Sequence, residues 1–243
     1  MRQISERIEP TPPNSWISPK VYGMGTLNGD LLPWRLRPRA IPTPEETPVG
    51  VSTVRACQSI AATDEWTACL AKNKVMTLAA NSSHTLELQA DMHSTAFLKW
   101  TFKATGKQSQ IKLKVMYSEG YELEPRNYPF FRTKADRLDA EKGHLIGPFD
   151  EVTLNVPHAQ TAVYEPFWFR TFRIMRLEIA AGSEPVELLG FEAKQVNYPL
   201  AVKASWKDLG DKDSEKIWAV SIRTMRNCMF DGYSDCPFYE QLQ

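Results

Sequence analysis

The 243-residue sequence predicts a mainly β protein: an antiparallel β-sandwich of jelly-roll type, followed by one C-terminal α-helix. Two changes in the spacing of apolar residues along the chain predict this fold class. From about residue 74, apolar and polar residues alternate, as in a strand with one covered face. After Asp213 the spacing lengthens to three and four residues, the period of an amphipathic helix. Apolar residues make up 42% of the chain and charged residues 24%, which is ordinary globular composition.

Residues 1–50 are predicted to form a proline-rich strap. Nine of the 17 prolines fall in this stretch. Proline neither donates to a β-ladder nor continues a helix, so we expect extended or irregular chain here. Trp16, Tyr22 and Trp34 favour a strap packed on a larger body over a free tail, because solvated linkers rarely carry aromatic side chains.

Residues 51–205 are predicted to form the sandwich. Its strands are expected at residues 86–90, 96–102, 111–117, 153–156, 167–179 and 186–193. In the clearest, 111–117, four apolar residues alternate with Lys112, Lys114 and Met116, so one face is covered and the other is wet. The range 167–179 is the richest in apolar and aromatic residues, and we expect it to be central and covered on both sides. Turns marked by glycine and proline separate these strands without intervening helices, which is typical of a sandwich.

Residues 206–243 begin with a predicted amphipathic helix. Trp218, Ile222, Met225 and Met229 recur at spacings of four, three and four residues, and Gly232 is a natural stop. A lone helix after a sandwich has no other helix beside it. Its apolar stripe therefore implies a partner, which is either the sandwich or further helices outside these residues.

Several functional classes are disfavoured by composition. Lys+Arg and Asp+Glu are both 29, so the net charge is zero and a nucleic-acid partner is not expected. The apolar runs are too short to cross a membrane. The four cysteines lack C-x-x-C spacing and the four histidines are scattered, so we expect no metal site and no cofactor, and expect the histidines at solvated positions. The N-terminus lacks the apolar core of a secretory signal; a cytoplasmic and a secreted location both stay open.

Two carboxylates near the C-terminus carry the candidate chemistry. Asp235 and Glu240 lie five residues apart in an aromatic, proline-bearing loop. Cleavage of a glycosidic bond needs one carboxylic acid, kept protonated by apolar surroundings, and a second carboxylate across the sugar ring. Phe238 and Tyr239 adjoin Glu240 and could supply the apolar surroundings and a platform for the sugar; core packing is the alternative for both rings.

The run DGYSDCPFYEQLQ, residues 231–243, closely resembles the start of the catalytic barrel in α-L-rhamnosidases of glycoside hydrolase family 78. Other runs look like their counterparts in that family: LRPRAIPTP at 36–44, YSEGYE at 117–122, WFRTFRIMRLEI at 168–179 and the helix around Trp218. The resemblance covers the chain from about residue 33 to its end. The terminal motif is specific to the family, and the strand motifs alone would not be.

The resemblance implies roles for individual residues. Glu240 would be the general acid, Asp235 would hold rhamnose hydroxyls, and residues 206–243 would begin an (α/α)6 barrel. The substrate would be terminal α-L-rhamnose of a glycoside or polysaccharide, hydrolysed with inversion. The family's second glutamate, which activates water, lies further along the barrel, so these 243 residues alone are expected to be an inactive fragment. The alternative is a carbohydrate-binding sandwich without catalysis.

Overall fold

The computed structural model describes residues 7–8, 18–20, 37–123 and 134–239. The strands in this part of the chain are β1 Arg7–Ile8, β2 Glu45–Pro48, β3 Val51–Gln58, β4 Met76–Leu78, β5 Ser83–Ala104, β6 Ser109–Ser118, β7 Tyr121–Glu122, β8 His144–Leu145, β9 Phe149–Val156, β10 Thr161–Tyr164, β11 Arg170–Ala181 and β12 Val186–Asn197. The helices are α1 Thr63–Lys72 and α2 Ser214–Asn227. The predicted fold class is confirmed: the protein is a mainly antiparallel β-sandwich, and helix α2 follows it.

The 22-residue strand β5 joins the two layers of the sandwich. Its first half lies between β3 and β11, and β6, β9 and β1 continue this first layer. Its second half lies between β10 and β12, and β12 also pairs with β2 and β4 in the second layer. Between the halves, residues 90–93 lie opposite Arg173 alone, which is a bulge that bends the strand. The two strands predicted at 86–90 and 96–102 are therefore one bent strand.

Strand β11 is central, as predicted, because it pairs antiparallel with β5 on one side and β6 on the other. It begins at Arg170, and the preceding Phe167 is almost fully exposed. Both faces are largely buried from Arg170 to Met175. Further along, Arg176 and Glu178 lie on a partly exposed outer face, so the prediction of two covered faces holds for the first half of the strand.

One continuous apolar core fills the space between the layers. Leu88, Leu113 and Leu177 enter it from the first layer, and Trp100 and Leu188 enter it from the second. All of these side chains are fully buried or nearly so. The alternation predicted for residues 111–117 is confirmed, since Ile111, Leu113, Val115 and Tyr117 are buried in the core and the residues between them are not.

Helix α1 was not predicted, and it closes one side of the core. Trp66, Cys69 and Leu70 are buried against the sandwich, and the Trp66 indole donates to Ser59 Oγ at 2.9 Å. Next to it, His84 is 3% exposed, so the expectation of solvated histidines is wrong at this position.

Helix α2 leaves much of its apolar surface in solvent. Trp218 and Ile222 of the predicted stripe are half-buried, whereas Met225 is 47% exposed; Met229 is buried but follows the end of the helix. Ile217 and Val220 are also about half exposed. In the described part of the chain, neither helix has the length and apolarity needed to cross a bilayer.

Candidate functional site

The loop after α2 is fastened to the end of β12. The Ser234 N–H donates to the Cys228 carbonyl at 2.8 Å, and Met229 and Tyr233 form an isolated bridge, so residues 228–234 turn back on themselves. The Asn197 side-chain amide donates to the Arg226 carbonyl at 2.5 Å and to the Met229 carbonyl at 2.8 Å. These contacts fix the position of the chain immediately before the terminal motif.

A charged pair ties the proline-rich segment to the same loop. Arg39 donates two hydrogen bonds to the Asp231 carboxylate, at 2.6 and 3.1 Å. These hydrogen bonds hold the pKa of the Asp231 carboxyl below its ordinary value. Trp16, Tyr22 and Trp34 of the predicted strap lie outside the described residues. The Arg39–Asp231 pair connects residues 37–44 to the loop 228–234.

The motif residues 235–239 lie against the central strand. The Thr171 hydroxyl of β11 donates to the Pro237 carbonyl at 2.8 Å, and Phe238 is 4% exposed. Tyr239 packs edge-to-face on Phe238 with ring centroids 4.7 Å apart, and it is partly exposed. Asp235 is exposed, and Glu240 lies outside the described residues. Of the predicted site residues, Asp235 and Tyr239 are therefore accessible to a ligand, whereas the side chain of Phe238 is buried in the protein interior.

Tyr239 meets a polar cluster centred on Glu119. Its hydroxyl lies 3.5 Å from Glu119 Oε2, which also lies 3.5 Å from Arg137 Nη2 and 3.8 Å from Lys134 Nζ. The next residue, Gly120, has φ +145°, and a Cβ there would meet the Arg137 carbonyl oxygen at 2.6 Å. Only glycine fits this turn, so Gly120 helps to place Glu119 beside Arg137.

His93 at the bend of β5 completes the cluster. Its Nε2 lies 3.7 Å from Glu119 Oε1, too far for a hydrogen bond. Burial lowers the pKa of His93, and the positive charges of Arg223, Arg137 and Arg173 together oppose the effect of Glu119. The imidazole of His93 is therefore neutral at pH 7, and it lies next to the Glu119 carboxylate without forming an ion pair.

The cluster gathers hydrogen-bonding groups beside the motif. Guanidinium, carboxylate and phenol groups can donate to and accept from the hydroxyls of a polar ligand. Among the described residues, no group of three or more His, Cys, Asp or Glu side chains could hold a metal ion. From the sequence, Glu119 is flanked by tyrosines and could lie near a ligand, with a purely structural loop as the default. No local pattern singles out His93, whose position beside Glu119 depends on the bend of β5.

Comparison with known proteins gives likenesses at the level of structure. No protein-family model matches the chain, and no curated protein matches it. One similar solved structure is the family 78 rhamnosidase of Bacillus sp. GL1, with 22% identity and a TM-score of 0.47 over 69% of this chain and 15% of that one. Another is a rhamnosidase from Klebsiella oxytoca with rhamnose bound, with 15% identity and a TM-score of 0.49 over 80% of this chain and 38% of that one.

A third match is a pectin-binding carbohydrate-binding module, with 10% identity and a TM-score of 0.32 over 65% of this chain and 97% of that one. The first of the three structures carries the family name to which the sequence motifs point. The chain spans well under half the length of either rhamnosidase. With TM-scores below 0.5, none of these likenesses carries an argument about what this chain does.

Proposed function

We propose that the chain is the N-terminal part of an inverting α-L-rhamnosidase, with Glu240 as the general acid and terminal α-L-rhamnose of a glycoside or polysaccharide as the substrate. The observation that carries the proposal is the terminal motif, with its carboxylates Asp235 and Glu240 five residues apart. A general acid has to be held in place to protonate the departing oxygen. The anchoring of Pro237 and Phe238 immediately before Glu240 meets this need.

Each neighbour of Glu240 has a separate role in this proposal. The exposed carboxylate of Asp235 accepts hydrogen bonds from sugar hydroxyls, and Tyr239 offers its ring beside the sugar while Glu119 holds its hydroxyl. Phe238 does not contact the sugar in this proposal; its buried ring packs against Tyr239 and keeps that ring in position.

We further propose the division of labour along the chain. Residues 51–205 brace a catalytic barrel, residues 1–50 wrap it as a strap, and residues 206–243 begin it. The water-activating carboxylate then belongs to the barrel's later part. The exposed apolar residues Ile217, Val220 and Met225 of α2 support this reading, because such a face is stabilised when other helices cover it.

The leaving group provides the sharpest test. The experiment uses the protein encoded by the complete reading frame and compares an alkyl α-L-rhamnoside with p-nitrophenyl α-L-rhamnoside. General acid catalysis contributes about 10²–10⁴-fold, so Glu240→Gln should lower kcat on the alkyl glycoside by roughly that factor. The loss should be much smaller on the p-nitrophenyl glycoside, because p-nitrophenolate departs without being protonated.

Two controls make the result specific. Glu215→Gln, a change at an exposed carboxylate on α2, should leave both rates unchanged. Asp235→Asn should raise KM for both substrates, because the proposed contact is with the sugar they share. Equal losses on both glycosides in Glu240→Gln, or first-formed product with retained anomeric configuration by NMR, would refute the proposal.

A further inference from the structure

Two free cysteines flank the turn that leads from helix α2 to the terminal motif. In the described part of the chain, Cys69, Cys228 and Cys236 are free; Cys69 is buried, whereas Cys228 and Cys236 are partly exposed. Cys228 caps the C-terminal end of α2, and Cys236 directly precedes Pro237, which Thr171 anchors to the sandwich. Reagents in solution can therefore reach the two thiols of the turn but not that of Cys69.

The backbone of the turn brings the two cysteines together. The Ser234 N–H donates to the Cys228 carbonyl at 2.8 Å, so the chain reverses its direction between the cysteines. The reversal places Cys228 Sγ 3.7 Å from the carbonyl oxygen of Asp235. This carbonyl belongs to the peptide bond that joins Asp235 to Cys236. Cys228 Sγ therefore lies against the backbone of the second cysteine.

The pKa of the Cys228 thiol is consistent with this proximity. Burial raises the pKa above its ordinary value, and the neighbouring Cys236 and Asp235 raise it further. Cys228 is therefore mainly the neutral thiol at neutral pH, whereas the thiolate is the form that attacks a disulfide. Thiol–disulfide exchange at Cys228 should accordingly be slow at neutral pH and faster as the pH rises.

We propose that Cys228 and Cys236 form a redox-sensitive pair, which a small disulfide such as oxidised glutathione converts into an intramolecular disulfide. The thiolate of one cysteine attacks oxidised glutathione and releases one glutathione, and the second cysteine then attacks the mixed disulfide and releases the other. The pair loses two protons and two electrons, and the oxidised glutathione gains them as it becomes two molecules of reduced glutathione. The new bond closes a ring of nine residues, 228–236, and ties the end of α2 to the motif.

The turn has room for the adjustment that the bond requires. An S–S bond is about 2.05 Å long and needs the two Cα atoms within about 7 Å of each other. Asp231, Gly232 and Tyr233 are exposed, and a Cβ at Gly232 would meet nothing within 4 Å. The turn can therefore move while Pro237 stays anchored. The proposal rests on the positions of the two thiols and not on the hydrolysis proposed for Glu240, so either can fail without the other.

The test equilibrates the folded 243-residue chain with mixtures of reduced and oxidised glutathione at mildly alkaline pH. After free thiols are blocked with N-ethylmaleimide, trypsin releases both cysteines on one peptide, 227–243, because this range contains no lysine or arginine. The disulfide form takes up no label and is lighter than the dithiol peptide by two hydrogen atoms. A chymotrypsin cut at Tyr233, inside the ring, should leave the two halves joined until the disulfide is reduced.

The glutathione mixtures also give the effective concentration of one thiol at the other. In urea a short flexible linker gives a value on the order of millimolar, and the folded chain should exceed the value in urea at least about tenfold. Cys69→Ser should leave the value unchanged, because the Cys69 thiol is buried. In Cys228→Ser and in Cys236→Ser, the remaining cysteine of the pair should stop at the mixed disulfide with glutathione.

The measurement on the unchanged chain decides the proposal even where a variant fails to fold. An effective concentration in the folded chain no higher than in urea would overturn it. So would a peptide 227–243 that stays a dithiol or a mixed disulfide, or disulfide-linked dimers on a non-reducing gel in place of the internal bond. Loss of the disulfide in Cys69→Ser would contradict it as well, because the bond would then involve a different thiol.

Discussion

Two arginine–aspartate pairs, each joined by two hydrogen bonds, hold different regions of the molecule. Inside the sandwich, Arg170 donates to Asp150 at 2.9 and 3.0 Å, and both side chains are fully buried. At the C-terminal loop, Arg39 donates to Asp231 at 2.6 and 3.1 Å, and the two side chains are 41% and 53% exposed. Because both pairs have two hydrogen bonds, comparing them shows mainly what burial contributes to the strength of such a pair.

The sandwich and the C-terminal segment, α2 with the loop after it, differ in burial in the same way as the two pairs. The layers of the sandwich bury their apolar side chains in one core, whereas α2 leaves Ile217, Val220 and Met225 about half exposed. The loop and motif after α2 are held by a few hydrogen bonds, such as those of Asn197 and Thr171. Stability within this chain is therefore expected to reside in the sandwich, and the proposed catalytic segment is attached to it.

Removing the acid from each pair should give the largest difference. Asp150→Ala leaves the Arg170 charge buried and takes the acceptor from the Tyr117 hydroxyl. Breaking a buried pair costs about 3–5 kcal/mol, and the free energy of unfolding in urea should fall by that amount. Asp231→Ala should leave the urea midpoint nearly unchanged, because water screens the exposed pair. Similar losses in both variants would contradict the comparison.

Truncating one isoleucine in each region gives a matched test of packing. Ile111 in β6 is fully buried, and Ile111→Ala should destabilise the protein by about 2–5 kcal/mol. Ile217 in α2 is 53% exposed, and Ile217→Ala should change stability by no more than about 0.5 kcal/mol. Urea denaturation of the 243-residue chain measures both. A large loss at Ile217 would show that α2 contributes to the core.

Lowering the pH should reduce the free energy of unfolding of the sandwich, because the unfolded chain protonates His84 more readily than the folded chain does. This is the smallest of the three expected effects. Both ring nitrogens meet serine hydroxyls, Ser59 at 2.7 Å and Ser82 at 2.9 Å, and burial lowers the pKa of the imidazole. The unfolded chain then binds a proton that the folded chain does not. Stability is therefore highest above pH ~6.5 and falls as the pH drops towards the lowered pKa, by at most about 1.4 kcal/mol per pH unit.

Urea midpoints measured between neutral and mildly acidic pH would show this slope. His84→Gln should flatten it, whereas His144→Gln, at an exposed histidine, should leave it as it is. An unchanged slope in His84→Gln would assign the acid sensitivity to other groups.

Much of the sandwich was predictable, because strand alternation is a local pattern. The strand around Ile111 is predicted from that pattern. The strand around Leu177 and its central place are predicted from its apolar and aromatic content. Helix α1 was missed because only three of its ten residues are buried, which leaves a weak periodic signal. The bend in β5 was read as a gap between two strands because the polar run near Asp91 looks like a loop.

The site was predictable in part. The terminal motif placed Asp235, Phe238, Tyr239 and Glu240 on one loop, and their roles in sugar chemistry stay a prediction. The contact of Tyr239 with Glu119 joins residues 120 apart in sequence. The position of His93 beside Glu119 depends on the bend of β5.

By itself, then, the sequence determined the fold class, most strand positions and the terminal carboxylate motif, because each depends on residues close together in the chain. Tertiary structure alone decided which of the two arginine–aspartate pairs is buried and which histidine lies beside Glu119. Burial and pairing are set by which distant segments meet, and a local pattern does not encode those meetings.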